Sequence, residues 1–253
     1  MPERDYILET EGLTKEFLGF VAVNGVRLRV RRGSIHALIG PNGAGKTTCF
    51  NLLTKFLQPT RGRILFNGKD ITRARPAEIS RRRLVRSFQI SAVFAGLTAL
   101  ENVRVALQRL LRPHSFDFWR SGRALGSLEP RARELLEMVG LQDHADTPAG
   151  ELSYGRKRAL ELATTVALDP ELMLLDEPTA GMGHEDVDRI AALIQKLGRE
   201  RTVLMVEHNL SVVANLSQRI TVLARGEVLA EGDYAHVSNH PDVVEAYMGS
   251  TDA

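Results

Sequence analysis

The sequence of 253 residues contains one cysteine, Cys49. An internal disulfide is therefore excluded, and a lone thiol fits a reducing compartment. Net charge is also scarce, with 33 Lys and Arg against 31 Asp and Glu. A chain whose main partner is nucleic acid needs a strong basic excess, so no nucleic acid is expected. No run of about 18 apolar residues occurs, so no segment is expected to cross a membrane. Any membrane role has to come through a partner. The first residues, Met1-Pro2-Glu3-Arg4-Asp5, are charged and no apolar stretch follows them, so no export leader is expected. Seven histidines occur, and no pair stands at metal-ligand spacing with cysteine or carboxylate. No internal repeat or low-complexity tract is visible. What the chain does have is 43% hydrophobic residues, enough for a substantial core.

Gly40-Pro41-Asn42-Gly43-Ala44-Gly45-Lys46-Thr47 fits G-x-x-x-x-G-K-[ST], the phosphate-binding loop. By chance its four fixed positions match in roughly one chain in a hundred of this length. The flanks strengthen it. Ile35–Ile39 reads as a buried strand, and Thr48–Leu53 as the opening of a helix. Small residues let the backbone wrap a phosphate, and the helix N-terminus adds partial positive charge. Lys46 can reach β- and γ-phosphates, and the Thr47 hydroxyl can ligand Mg²⁺.

Residues 6–34 read as short β segments. Asn24-Gly25, between Val21–Val23 and Val26–Val30, gives a hairpin signal. Arg63–Phe66 followed by Asn67-Gly68 predicts a strand and tight turn. Residues 75–86 are arginine-rich and read as a helix with a solvated basic face. From about 90 to 160 the pattern turns helical. Thr98-Ala99-Leu100-Glu101 is a capping box opening a helix through Leu111. Arg112 to Pro130 is loop-like, and Arg131–Val139 is a helix ended by Gly140. Beyond 170, strands at Leu172–Leu175, Thr202–Val206 and Arg219–Ala224 alternate with helices over 184–199 and 209–217, and Val228–Ala230 pairs back as a terminal hairpin. This alternation predicts a mainly parallel α/β sheet, with residues 90–160 an inserted helical subdomain.

Leu172-Met173-Leu174-Leu175-Asp176-Glu177 is an apolar strand that delivers two carboxylates at its end. Beside a phosphate loop, Asp176 can hold the Mg²⁺ hydration shell and Glu177 can orient and deprotonate a water. Ser153 and Gly155, in Leu152-Ser153-Tyr154-Gly155-Arg156, sit where a helix begins. Alone they would read as an ordinary serine cap. A lone histidine after a strand, such as His208, is usually structural. At the end of Thr202–Val206 it shares a sheet edge with Gly45 and Asp176, which favours a γ-phosphate contact.

Together these segments resemble the ATP-binding cassette (ABC) ATPases over nearly the whole chain. The signature around Ser153–Gly155 stands about twenty residues before Asp176-Glu177-Pro178-Thr179. Gln89, in Arg86-Ser87-Phe88-Gln89, matches the family's Q-loop, and His208 its switch histidine. Within the family, Leu100-Glu-Asn-Val, Tyr154 and the tail Glu245-Ala-Tyr-Met-Gly look like the ATP-binding subunits of branched-chain amino acid importers. Urea or short-amide importers and the lipopolysaccharide-export ATPase look similar. Soluble ABC ATPases usually carry two cassettes or a coiled-coil insert, and this chain has neither. A non-catalytic regulator sits poorly with Glu177 and His208 both present.

The resemblance implies one ABC ATP-binding domain over 1–253, with a P-loop core, an antiparallel β subdomain, the insert, and a helical tail over about 235–253. It implies ATP and Mg²⁺ as ligands. Phe17 would stack on adenine, and Val23, Asn42, Gly43, Ala44, Gly45, Thr48, Ser153, Tyr154 and Gly155 would line the nucleotide. Gln89 would join Thr47 and Asp176 at the metal. It also implies a homodimer or a heterodimer with a homologous ATPase. Membrane permeases would dock on residues 87–100 and the neighbouring insert, with a periplasmic binding protein acting indirectly. Phe94 and Leu97 are apolar in this loop, where they either meet that partner or tuck into the insert's own core. The location implied is the cytoplasmic face of the inner membrane. Two positions depart from the family pattern: Arg156 replaces the usual Gln, and Gly183 stands where many relatives have Asp.

Overall fold

A computed structural model describes residues 5–87, 93–111 and 126–248, with the side chains of 110 and 111 excluded. The chain divides into two compact units. The first holds residues 1–86, 171–180 and 194–253; the second holds 87–170 and 181–193.

The first unit contains two sheets. One is antiparallel: β1 (Tyr6–Phe17) pairs with β2 (Phe20–Val26), β3 (Arg29–Arg31) and β5 (Arg61–Phe66), and β5 pairs with β6 (Lys69–Asp70). The hairpin expected at Asn24-Gly25 is not there. β2 runs through both residues, and the chain reverses at Leu18-Gly19, where Phe17 faces Phe20. Leu18 and Gly19 have φ of 46° and 89°, and Leu18 is fully exposed. Propensity rules do not anticipate leucine in such a turn. Gly25, at φ 60°, sits instead opposite a register irregularity, its N–H donating to the Thr14 hydroxyl at 3.0 Å. Asn67-Gly68 does close the β5–β6 turn, with φ of 49° and 68°.

The second sheet has the order β11-β10-β4-β9-β8-β7. Strands β4 (Ile35–Ile39), β7 (Leu84–Arg86), β8 (Leu172–Asp176), β9 (Thr202–Val206) and β10 (Arg219–Ala224) are parallel; β11 (Glu227–Gly232) is an antiparallel edge. All five residues of β4, β8 and β9 are buried, as expected for strands covered on both faces. The arginine-rich segment is only partly helical. α2 (Pro76–Arg81) stops before Arg83, and Leu84–Arg86 joins the sheet beside β8. Around the sheets stand α1 (Lys46–Leu53), α7 (Leu210–Leu216), α8 (Tyr234–Ser238) and α9 (Pro241–Met248). Phe50, Leu52 and Leu53 of α1 join Leu38, Leu174, Leu204 and Ile64 in the main core.

The second unit is helical, with α3 (Ala99–Leu111), α4 (Glu129–Met138), α5 (Tyr154–Ala167) and the start of α6 (His184–Gly198), which runs on into the first unit. The capping box is formed: Thr98 N–H donates to Glu101 at 2.8 Å, and Glu101 N–H to the Thr98 hydroxyl at 3.1 Å. α4 begins earlier than expected, at Glu129, with Pro130 in its first turn. Gly140 ends it with N–H bonds from Gly140 to Glu137 and from Leu141 to Leu136. Most of the segment read as a loop, together with Gln89, lies outside the described residues.

Candidate active site

β4, β9 and β8 are parallel neighbours, so the loops at their carboxyl ends leave one edge of the sheet. The phosphate loop follows β4. Gly40 has φ 148°, and a Cβ there would fall 2.1 Å from the Leu223 carbonyl oxygen. Only glycine fits so close to backbone. Gly45, at φ 98°, is the N-cap of α1, which begins without a side-chain cap. The first N–H groups of a helix lack intrahelical acceptors, so this end suits an anion. Asn42, Gly43 and Thr47 are exposed, Thr48 is half-buried, and Ala44 is buried.

Lys46 is only 6% exposed. Its Nζ donates to the carbonyls of Gly40 at 2.7 Å and Pro41 at 2.9 Å. Burial pushes its pKa down, and the Glu177 carboxylate opposes that shift. The loop's own carbonyls thus hold the ammonium against the backbone it would share with phosphates.

Asp176 ends β8 fully buried. Its Oδ2 accepts from Arg86 Nη2, while Oδ1 is buried without a hydrogen-bond partner. Glu177 takes φ 48°, the left-handed region that a non-glycine residue enters only when its surroundings hold it there. Its N–H donates to the Val206 carbonyl at 2.9 Å, and its Oε1 lies 2.6 Å from His208 Nε2. His208 is exposed and Glu177 half-buried.

Glu207 locks this pair in place. It is 3% exposed. One carboxylate oxygen accepts from the Thr179 N–H at 3.0 Å and the Thr179 hydroxyl at 2.5 Å. The other accepts from the N–H groups of His208 at 2.9 Å and Asn209 at 3.1 Å. These bonds link Glu177 to His208 and Thr179 to His208 through Glu207, and so tie the loop after β8 to the loop after β9.

Phe17 ends β1 at 40% exposure, with Lys15 Nζ 4.9 Å from its ring centroid. Val23 is fully buried and backs the loop at Gly45, which leaves it no surface for a ligand in this conformation. The Thr47 hydroxyl and the Asp176 carboxylate are oxygen donors of the kind Mg²⁺ takes. The unpartnered Asp176 Oδ1 is the kind of acceptor a hydrated cation satisfies. Among the described residues no three His, Cys, Asp or Glu are grouped to hold a metal ion.

In the second unit, Ser153 caps α5, its hydroxyl accepting from Arg156 N–H at 3.4 Å. Ser153 and Tyr154 are exposed, and Gly155 is buried. A Cβ on Gly155 would stand 2.4 Å from the Asp186 carboxyl group. Gly183 has open space around it, and its carbonyl accepts from Val187 N–H as α6 starts. Phe94 is 57% exposed and Leu97 half-buried. Asn102 holds the turn that carries them. Its side chain accepts from Phe94 N–H and donates toward the carbonyls of Phe94, Leu97 and Thr98.

Residues 23–180 match the family model for ABC transporters. The chain belongs to the ABC transporter family. A second model, for branched-chain amino acid ATP-binding cassette transporters, matches residues 227–253 of the cassette. The cassette is 41% identical to the high-affinity branched-chain amino acid transport ATP-binding protein BraF of Pseudomonas aeruginosa, covering 96% of this chain and 98% of BraF. It is 38% identical to LivG of Escherichia coli, at the same coverage. It also resembles the ADP conformation of MJ1267, an ATP-binding cassette of an ABC transporter. That match has a TM-score of 0.84 and 32% identity, over 96% of this chain and 99% of MJ1267. Against the post-hydrolysis dimer of the cassette MJ0796 bound to ADP and Pi, the TM-score is 0.75 at 28% identity, over 90% and 98% of the two chains.

Arg86, Asn102 and Glu207 join the site in the structure without standing among the residues expected from the sequence. Glu207 carried a usable signal: an acid ending an apolar strand, immediately before a candidate histidine.

Proposed function

We propose that this chain is the ATP-hydrolysing motor subunit of a transporter that imports branched-chain or related amino acids. The observation carrying this reading is similarity over 96% of the chain to ATP-binding proteins named for that transport, joined to the Lys46, Asp176, Glu177 and His208 constellation. Lys46 would exchange its loop carbonyls for β- and γ-phosphate oxygens, and the α1 N-terminus would receive the phosphates. Thr47, Asp176 and Gln89 would hold Mg²⁺, which neutralises phosphate charge when bound. Glu177 would take the proton of the attacking water, held in position by His208, which would also contact the γ-phosphate. Phe17 would stack on adenine. A second copy or a homologous subunit would complete each site with Ser153, Tyr154 and Gly155. ATP would thus favour a closed dimer and hydrolysis would reopen it.

The loop carrying Phe94 and Leu97 would pass the motion to permease subunits, placing the cassette peripherally on the cytoplasmic face of the inner membrane. Among the described residues no helix is long and apolar enough to cross a membrane. The test is uptake of labelled leucine, isoleucine and valine by cells lacking the chain. Wild type should restore uptake, and Lys46→Ala, which removes the main cation from the phosphates, should not. Undiminished leucine uptake with lost urea or amide uptake would overturn the amino-acid reading.

A further inference from the structure

Arg86 ends β7 opposite Leu174, so Asp176 lies two residues further along the neighbouring strand, on the same face. Their side chains are 10% and 0% exposed and meet at 2.5 Å. The arginine is anchored elsewhere too. Its Nη1 donates to Asn51 Oδ1 of α1 at 2.6 Å. Its guanidinium stands 5.9 Å from the ring centroids of both Phe50 and Phe56. A guanidinium held by the Asn51 bond and two aromatic rings presents its remaining N–H groups in a fixed direction. Here it binds one carboxylate oxygen of Asp176 and leaves the other, Oδ1, without a partner.

Burying an ion pair is costly, so this pair is weak evidence for a stabilising role. A ligating carboxylate is commonly oriented by a hydrogen bond to its other oxygen. We propose that Arg86 is a positioning residue for the metal-holding carboxylate. It pins Oδ2 of Asp176 and keeps Oδ1 free to accept from the hydration shell of the divalent cation. The assignment rests on the reading that Asp176 serves Mg²⁺ beside a nucleotide. Asn51 extends the device to α1, the helix that carries Lys46 and Thr47, so the metal carboxylate and the phosphate loop share one anchor.

The test is titration of the full-length, ADP-loaded chain with Mn²⁺, reading free Mn²⁺ by electron paramagnetic resonance. ADP affinity in EDTA is measured in parallel. Arg86→Gln should weaken Mn²⁺ binding at least about tenfold and leave ADP affinity in EDTA within about threefold of wild type. Asn51→Ala keeps the charge and removes only the anchor, so it should weaken Mn²⁺ in the same direction by a smaller factor. Unchanged or tighter Mn²⁺ binding in Arg86→Gln would overturn the proposal, the latter by making Arg86 a competitor of the metal. Equal loss of ADP affinity in EDTA would overturn it by making Arg86 a general support of the loop. If Arg86→Gln does not fold, Asn51→Ala decides, and unchanged Mn²⁺ affinity there overturns the proposal. Asp176→Asn separates the two levels. If it binds Mn²⁺ like wild type, the metal reading itself falls; if it alone loses Mn²⁺, only the role of Arg86 falls.

Discussion

Lys55 shows what burial does to a charge at the scale of one residue. It is 3% exposed, and its Nζ is buried with no hydrogen-bond partner. Burial pushes its pKa from 10.5 down to about 8, with Asp70 opposing the shift. The unfolded chain therefore binds more protons than the folded one between about pH 8 and 10.5, and stability rises with pH across that window. Below it the full penalty applies. Lys55→Met should stabilise the protein by about 1–3 kcal/mol at pH 7, and the gain should shrink as pH rises toward 10. Urea unfolding midpoints at both pH values check this, and a gain independent of pH would assign it to packing. Nothing in the sequence marks Lys55 as buried; the one charge that opposes its shift, Asp70, stands fifteen residues away. Arg86 and Asp176 show the same limit, 90 residues apart. Lys46, Glu177 and His208 were legible because each follows an apolar strand or sits in a loop whose chemistry is local.

Among elements, the local devices were readable and the long-range ones were not. The capping box at Thr98 and the Gly140 stop involve neighbours a few residues apart, and both formed. β7 was hidden because three residues beside an arginine-rich helix gain strand structure only from pairing with β8. The Leu18-Gly19 reversal was hidden because Asn24-Gly25 offers better turn chemistry, which β2 spends on a bulge instead. The Glu207 bonds join two loops whose strands are adjacent only in the folded sheet. A glutamine at 207 can accept through one atom only, so at least two buried N–H or O–H donors would lose their acceptor. Glu207→Gln should therefore cost about 1–3 kcal/mol, read from urea unfolding. It should also slow turnover through the Glu177–His208 pair. A variant with wild-type stability would show that the four bonds are dispensable.

For the whole molecule, the claim is that nucleotide chemistry in the first unit drives a partner through the second. Phe94 is an exposed apolar side chain on a turn that Asn102 ties together by hydrogen bonds. Phe94→Asp should leave thermal stability and ATP binding near wild type and abolish co-purification with the permease subunits. Its exposure means that the variant should fold, and retained co-purification would move the docking surface elsewhere. The central claim, that Glu177 is the base of an ATPase, is tested most directly by single-turnover hydrolysis with Glu177→Gln, alongside ATP affinity. Glutamine keeps the shape and can still hold a water, but it is a far poorer proton acceptor. The account predicts ATP affinity within about threefold of wild type and hydrolysis slowed by about a hundredfold or more, on the order of 2.7 kcal/mol in the barrier. Hydrolysis within about tenfold of wild type, a barrier change of ~1.4 kcal/mol, would contradict it.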